Sequence, residues 1–175
     1  MPLKLIRDDI IHMNVDAIVN TANPEPIFGR GTDYGIYKAA GMDLLLGARK
    51  EIGSMEPGQA VLTPGFNLKA RHIIHTVGPV WNGGGNNEAD LLASCYYSSL
   101  SLAVEKGIRT IAFPSISTGV YRFPVQLAAE VAVSTVSRFV KENPGAIDMI
   151  EWVLFDDNTY MIYEVEVDKY YQAMR

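Results

Sequence analysis

Short runs rich in β-branched residues alternate with stretches of helical spacing along almost the whole chain, and this alternation constrains the fold most. PLKLI near residue 4, DAIVN (Asp16 to Asn20), AVLTPG (Ala60 to Gly65), HIIHTVGP (His72 to Pro79), Thr110 to Pro114 and Glu151 to Phe155 read as strands. Helical spacing runs from Asp33 to about Ile52, from Glu88 to Lys106 with Gly107 at the C-cap, from Pro124 to about Glu142, and from Thr159 to Met174. Such alternation predicts a three-layer α/β domain with a largely parallel sheet and right-handed crossovers. Ligands of such sheets sit outside the carboxyl ends of the strands. The two distinctive Gly-bearing loops directly follow predicted strands, which places both on that one rim.

The length of 175 residues suits a single domain over 1–175. No apolar run approaches the roughly 18 residues of a membrane span, and charge in MPLKLIRDD comes too early for a secretory signal, so a cytoplasmic, non-membrane protein is expected. Cys95 is the only cysteine, which excludes an intrachain disulfide; its helical surroundings predict a buried structural thiol. The formal charge of −5 has the wrong sign for wrapping a polyphosphate backbone, so long nucleic acid is not the expected partner. A small phosphate ligand needs no net positive charge, because oriented backbone N–H groups hold it.

Two segments carry the chemistry. In DAIVNTANPEPIFGRGTDYGIYKAAG, Asp16 to Gly41, a buried strand ends in asparagines and leads through Gly29-Arg30-Gly31 to an acid-led helix. Asn and Gly there also serve ordinary turn geometry. The Gly-x-Gly lacks the third glycine of a dinucleotide fingerprint and the Lys-Ser/Thr of a P-loop. Asp33 fits a helix cap or first-turn position, where the dipole contributes roughly 0.3 to 1 kcal/mol, and equally a general base facing a cleft. In AFPSISTGVYRFP, Ala112 to Pro124, small residues supply unblocked N–H donors between a strand and a helix. That composition suits an anion-holding loop as well as a generic turn.

Together these segments resemble the macro domain family of the Appr-1''-p processing type, near its hydrolytic MacroD-like branch. The resemblance rests on Asn20-Thr21-Ala22-Asn23, Gly29-Arg30-Gly31, Thr32-Asp33, GQAVLTPGFNL, HIIHTVGPVW and the run from Ile116 to Pro124, and covers nearly the whole chain. It implies a three-layer α/β/α sandwich with a mixed, largely parallel sheet, and ADP-ribose or a molecule bearing it as ligand. Asp9 is then the acid meeting the adenine amino group, Ile10 offers its backbone N–H nearby, and Phe155 packs on adenine. Ser117, Thr118, Gly119, Val120 and Tyr121 form the diphosphate loop. Asn23 holds the distal ribose with Phe123 beside it, Asn20, Gly29 and Gly31 complete the contacts, and Asp33 orients or activates water. Without the resemblance, Asp9 reads as a solvated loop charge and Phe155 as core.

Four departures stand out. The commonest hydrolytic form has three consecutive glycines where Gly29-Arg30-Gly31 stands, and histidine at Tyr37. Arg30 either reaches a phosphate or acyl group or points into water. The usual Gly-Asp-Ile-Thr entry is here Asp8-Asp9-Ile10-Ile11, and Arg122 stands where glycine is frequent. His12, His72 and His75 are too scattered for a metal set, and no Gly-x-Ser-x-Gly elbow surrounds Ser115 or Ser117, so neither a catalytic metal, a cofactor nor a covalent serine is expected. The expectation is a monomeric hydrolase acting on O-acetyl-ADP-ribose, on mono-ADP-ribosylated acidic side chains of proteins, or on both. A non-catalytic ADP-ribose reader is the main rival, and an RNA- or poly(ADP-ribose)-binding module a more distant one.

Overall fold

The computed structural model describes residues 2–175. Six strands, β1 (Leu3–Arg7), β2 (Ala17–Thr21), β3 (Ala60–Pro64), β4 (His72–Thr76), β5 (Thr110–Phe113) and β6 (Met149–Leu154), form one sheet in the order β1-β6-β5-β2-β4-β3. Neighbours pair in parallel except β3, which runs antiparallel to β4 at one edge. The helices are α1 (Thr32–Ala40), α2 (Met42–Ile52), α3 (Glu88–Glu105), α4 (Val125–Glu142) and α5 (Asp157–Ala173).

Period-2 alternation explains the three layers. Ala17 and Val19 of β2 and Ile74 of β4 enter the core shared with α3, α4 and α5, whereas Ile18 and Ile73 enter the core shared with α1 and α2. Strands covered on both faces bury nearly every side chain, which is why β2 and β4 read as nearly continuous apolar runs. Each fully buried Ile or Val contributes about 1.5 to 3 kcal/mol. The polar exceptions, Asn20 and His75, therefore require partners. Cys95 lies in the larger core, where burial pushes its thiol up to about 11, as a structural cysteine should be.

Several boundaries differ from the expectations. The helical period from Asp33 to Ile52 divides into α1 and α2 because Gly41 adopts φ 112°, a region that L side chains rarely enter. Pro124 precedes the first turn of α4 rather than opening it. The last helix starts two residues early because Asp156 caps it, its carboxylate accepting from the Thr159 N–H at 2.7 Å. Gly107, at φ 71°, follows the end of α3 as expected. No helix among the described residues is long and apolar enough to cross a membrane.

Candidate functional site

The sheet order sets the carboxyl ends of β1, β6, β5 and β2 side by side on one rim. A cleft of about 500 Å³ opens there, lined by Asn23 and Gly29 to Asp33 from the β2–α1 connection and the first turn of α1, by Ser117, Gly119, Val120 and Tyr121 from the β5–α4 loop, and by Phe155. The two Gly-bearing loops thus share one rim. A larger apolar groove, about 960 Å³, lies elsewhere between the ends of α4 and α5 and contains none of these residues.

Asp33 sits in the first turn of α1 but caps none of its own helix N–H groups. Its Oδ1 accepts from the Asn20 side-chain amide at 2.7 Å and its Oδ2 from the Gly29 backbone N–H at 2.5 Å. Burial raises its pKa above the usual carboxylate range, while these two hydrogen bonds and the Arg49 cation pull it back down. Each oxygen keeps a lone pair beyond its hydrogen bond, and the residue lines the cleft. Such a carboxylate can receive a proton from a water held there. The Tyr121 phenol faces it from the opposite loop, and both burial and the Asp33 charge raise the pKa of that phenol.

Asn23 hangs beside this acid, its amide donating to the Ile27 carbonyl at 3.1 Å. A Cβ on Gly29 would stand 2.8 Å from the Asn23 Nδ2, so this glycine admits the asparagine to the cleft wall. Arg30 is exposed on the lip, and Gly31 takes φ 63° as the chain enters α1. Tyr37 is wholly buried, so it faces neither solvent nor cleft.

The β5–α4 loop is shaped by its backbone. Ser117 and Arg122 adopt φ 66° and 60°, and the turn closes through Phe123 N–H to the Ser117 carbonyl at 2.9 Å and Arg122 N–H to the Gly119 carbonyl at 3.0 Å. The positive φ at Arg122 explains why glycine suits that position. Among the described residues the N–H groups of Thr118, Gly119, Val120 and Tyr121 have no protein acceptor, leaving a row of donors for an anion. Thr118 does not line the main cleft, and its hydroxyl donates to the Ser115 hydroxyl at 2.7 Å. Gly78 passes so close beneath that a Cβ on it would collide with the Ser117 hydroxyl.

Three of the expected contact residues have buried side chains. Phe123 is 1% exposed and packs on Trp81, ring centroids 4.8 Å apart, so it lies in the core and Tyr121 takes the place beside Asp33. Asn20 is wholly buried below the cleft and reaches it only through Asp33. Ile10 is buried in the smaller core, so only its backbone is available to a ligand. Asp9 stands half-buried where β1 ends, its carboxylate accepting from the Ile11 N–H at 3.2 Å. Phe155 stands where the neighbouring β6 ends, more than half exposed and free to cover a planar ring.

Sequence reasoning missed a buried polar layer behind Asp33. Arg49 of α2 is completely buried and donates to the Asn23 carbonyl at 3.2 Å, its charge close enough to influence Asp33, Tyr37 and His75. His75 contacts Asn20 at 3.1 Å and Thr63 at 2.9 Å. The legible signal was a histidine pointing to the core face of an apolar strand, although spacing could not name its partners.

A family model described as the macro domain matches residues 19–132. An uncharacterized protein of Fusobacterium nucleatum is 51% identical over 168 residues, covering 95% of each chain. A protein of Citrobacter rodentium named O-acetyl-ADP-ribose deacetylase is 45% identical over 165 residues, covering 93% of each. Among solved structures, the Oceanobacillus iheyensis macrodomain with ADP superposes with a TM-score of 0.92 at 37% identity, covering 98% of this chain and 92% of that one. The Trypanosoma brucei macrodomain in complex with ADP-ribose gives 0.87 at 38% identity, covering 94% of this chain and 68% of that one.

Proposed function

The chain belongs to the macro domain family, and from that premise we propose that it binds ADP-ribose in the cleft and hydrolyses an ester-type bond at the distal ribose. Ligand binding draws support from the similar macrodomains of known structure that hold ADP and ADP-ribose. The free N–H row from Thr118 to Tyr121 takes the diphosphate, Asp9 and Phe155 hold the adenine end, and Asn23 positions the distal ribose.

One observation carries the hydrolytic reading: a buried, hydrogen-bonded carboxylate, Asp33, whose pKa burial raises, opens into the cleft opposite Tyr121. A raised pKa makes it a stronger base than a solvated aspartate while the two N–H donors keep the charged form attainable. Asp33 accepts a proton from water as the water oxygen bonds to the electrophilic carbon. With O-acetyl-ADP-ribose that carbon is the acyl carbon, the ribose oxygen leaves with a proton, and acetate is released. With an ADP-ribosylated carboxylate it is the anomeric carbon, and the side-chain carboxylate departs. Similarity to the Citrobacter protein favours the first substrate. The test incubates the purified protein with each substrate and measures free acetate and free ADP-ribose. Turnover of either supports the reading, whereas ADP-ribose binding without turnover of both makes the protein a reader.

A further inference from the structure

The amide of Asn20 has no partner for its oxygen among the described residues, so its orientation depends wholly on what its nitrogen meets. That nitrogen faces two acceptors, Asp33 Oδ1 at 2.7 Å and His75 Nδ1 at 3.1 Å. Beyond the imidazole, His75 Nε2 lies 2.9 Å from the Thr63 hydroxyl, whose own proton goes to the Pro64 carbonyl at 3.1 Å. The row crosses three adjacent strands on the α1/α2 face, since Asn20 and His75 are register partners and Thr63 lies on the diagonal of the β3–β4 pair. All four side chains are at most 3% exposed.

The proton positions follow in order. The Pro64 carbonyl can only accept, so placing the Thr63 proton there satisfies it and leaves the hydroxyl to accept from Nε2 of His75, with Nδ1 as the acceptor. An acceptor at Nδ1 and an ionised carboxylate at Asp33 both require the NH₂ end of the Asn20 amide, whose two protons serve one each. With the other tautomer, Nδ1–H would demand the amide oxygen, and a reversed amide would set that oxygen against the Asp33 carboxylate.

We propose that Thr63 and His75 are positioning residues for Asp33, holding the Asn20 amide with its NH₂ toward the carboxylate and so keeping a buried base ionised. The proposal rests on the reading of Asp33 as the base. His75 itself stays neutral, because burial first and the Arg49 cation second push its pKa down to about 3. Of the other groups facing Asp33, Tyr37 from α1 and Tyr121 from the β5–α4 loop have raised pKa values, and the Arg49 cation from α2 pulls the Asp33 pKa down. Burial raises the Asp33 pKa, so the base is lost as pH falls through a value above the ordinary carboxylate range, and weakening the Asn20 donor moves that value higher.

Two NMR measurements and one kinetic one test this. In ¹⁵N-histidine-labelled wild type, His75 should show the Nε2–H tautomer at neutral pH; the Nδ1–H tautomer would overturn the proposal without any variant. In Thr63→Val, the ¹³C carboxyl titration of Asp33 should move up by about one pH unit, with mixed His75 tautomers, and Thr63→Ser should restore both. The acid limb of kcat should shift by the same amount, with KM within about twofold, since no ligand-facing atom changes. An unshifted Asp33 titration in folded Thr63→Val overturns the proposal. Absence of turnover in the wild type instead overturns the hydrolytic reading, and the tautomer and carboxyl titrations then decide the hydrogen-bond chain alone.

Discussion

Around Asp33 the cleft wall is held by side chains reaching across three strands, whereas the facing wall, the loop from Ser115 to Phe123, is held by its own backbone. The first wall places its polar atoms at 2.5 to 3.1 Å from named partners, with Asn20, His75 and Thr63 buried behind Asp33. The second presents four N–H groups with no protein acceptor, and two of its residues accept positive φ. A side-chain wall sets the charge and proton affinity of one group, because low-dielectric surroundings magnify each contact. A backbone wall sets a shape complementary to an anion, and is largely indifferent to side-chain identity where the side chains point outward. Chemistry and affinity are therefore separable by substitution.

The largest expected effect breaks the side-chain wall alone. Asp33→Ala should lower turnover of O-acetyl-ADP-ribose or of an aspartyl-linked ADP-ribosyl protein roughly 100-fold or more while leaving ADP-ribose affinity within a few fold. Rate per folded molecule and calorimetric affinity are measured together; retention of most of the rate would place the base elsewhere. Gly119→Glu addresses the other wall. A Cβ there meets nothing within 4 Å, so the protein should fold, yet the side chain fills the anion cradle with a like charge. ADP-ribose affinity should fall at least about 100-fold, or about 3 kcal/mol; calorimetric affinity within twofold of wild type would remove this loop from the site. The smallest effect concerns the backbone strain itself. Arg122→Gly relieves a left-handed φ of 60° and should raise folding stability by about 1 kcal/mol in denaturant unfolding, with ADP-ribose affinity unchanged. A loss of stability would show that the exposed arginine makes a contact that outweighs the strain.

Much of this arrangement was legible in the residues. The apolar runs at Ala17 to Val19 and Ile73 to Ile74, stopped by polar and Gly-Pro residues, marked strands buried on both faces, and the Gly-bearing loops after β2 and β5 marked the rim. Asp33 was identifiable as an acid at a helix start. Its tie to Gly29 instead of to its own helix was not, because that depends on how the loop folds back. Phe123 and Tyr121 show the same limit. Both are aromatic and two residues apart, and the positive φ at Arg122 between them helps send one onto Trp81 and leave the other facing the cleft.

Local pattern by itself determined the elements, the parallel character of most of the sheet and the rim on which a ligand sits, because hydrophobic period and turn chemistry act over a few residues. Only the tertiary structure decided which polar side chains meet. Arg49, Thr63, His75 and Asn20 come from α2, β3, β4 and β2, as many as 55 residues apart along the chain within one hydrogen bond. Burial gives those contacts their strength, and burial at that point follows from the packing of α1 and α2 on the sheet, which no spacing along the chain encodes.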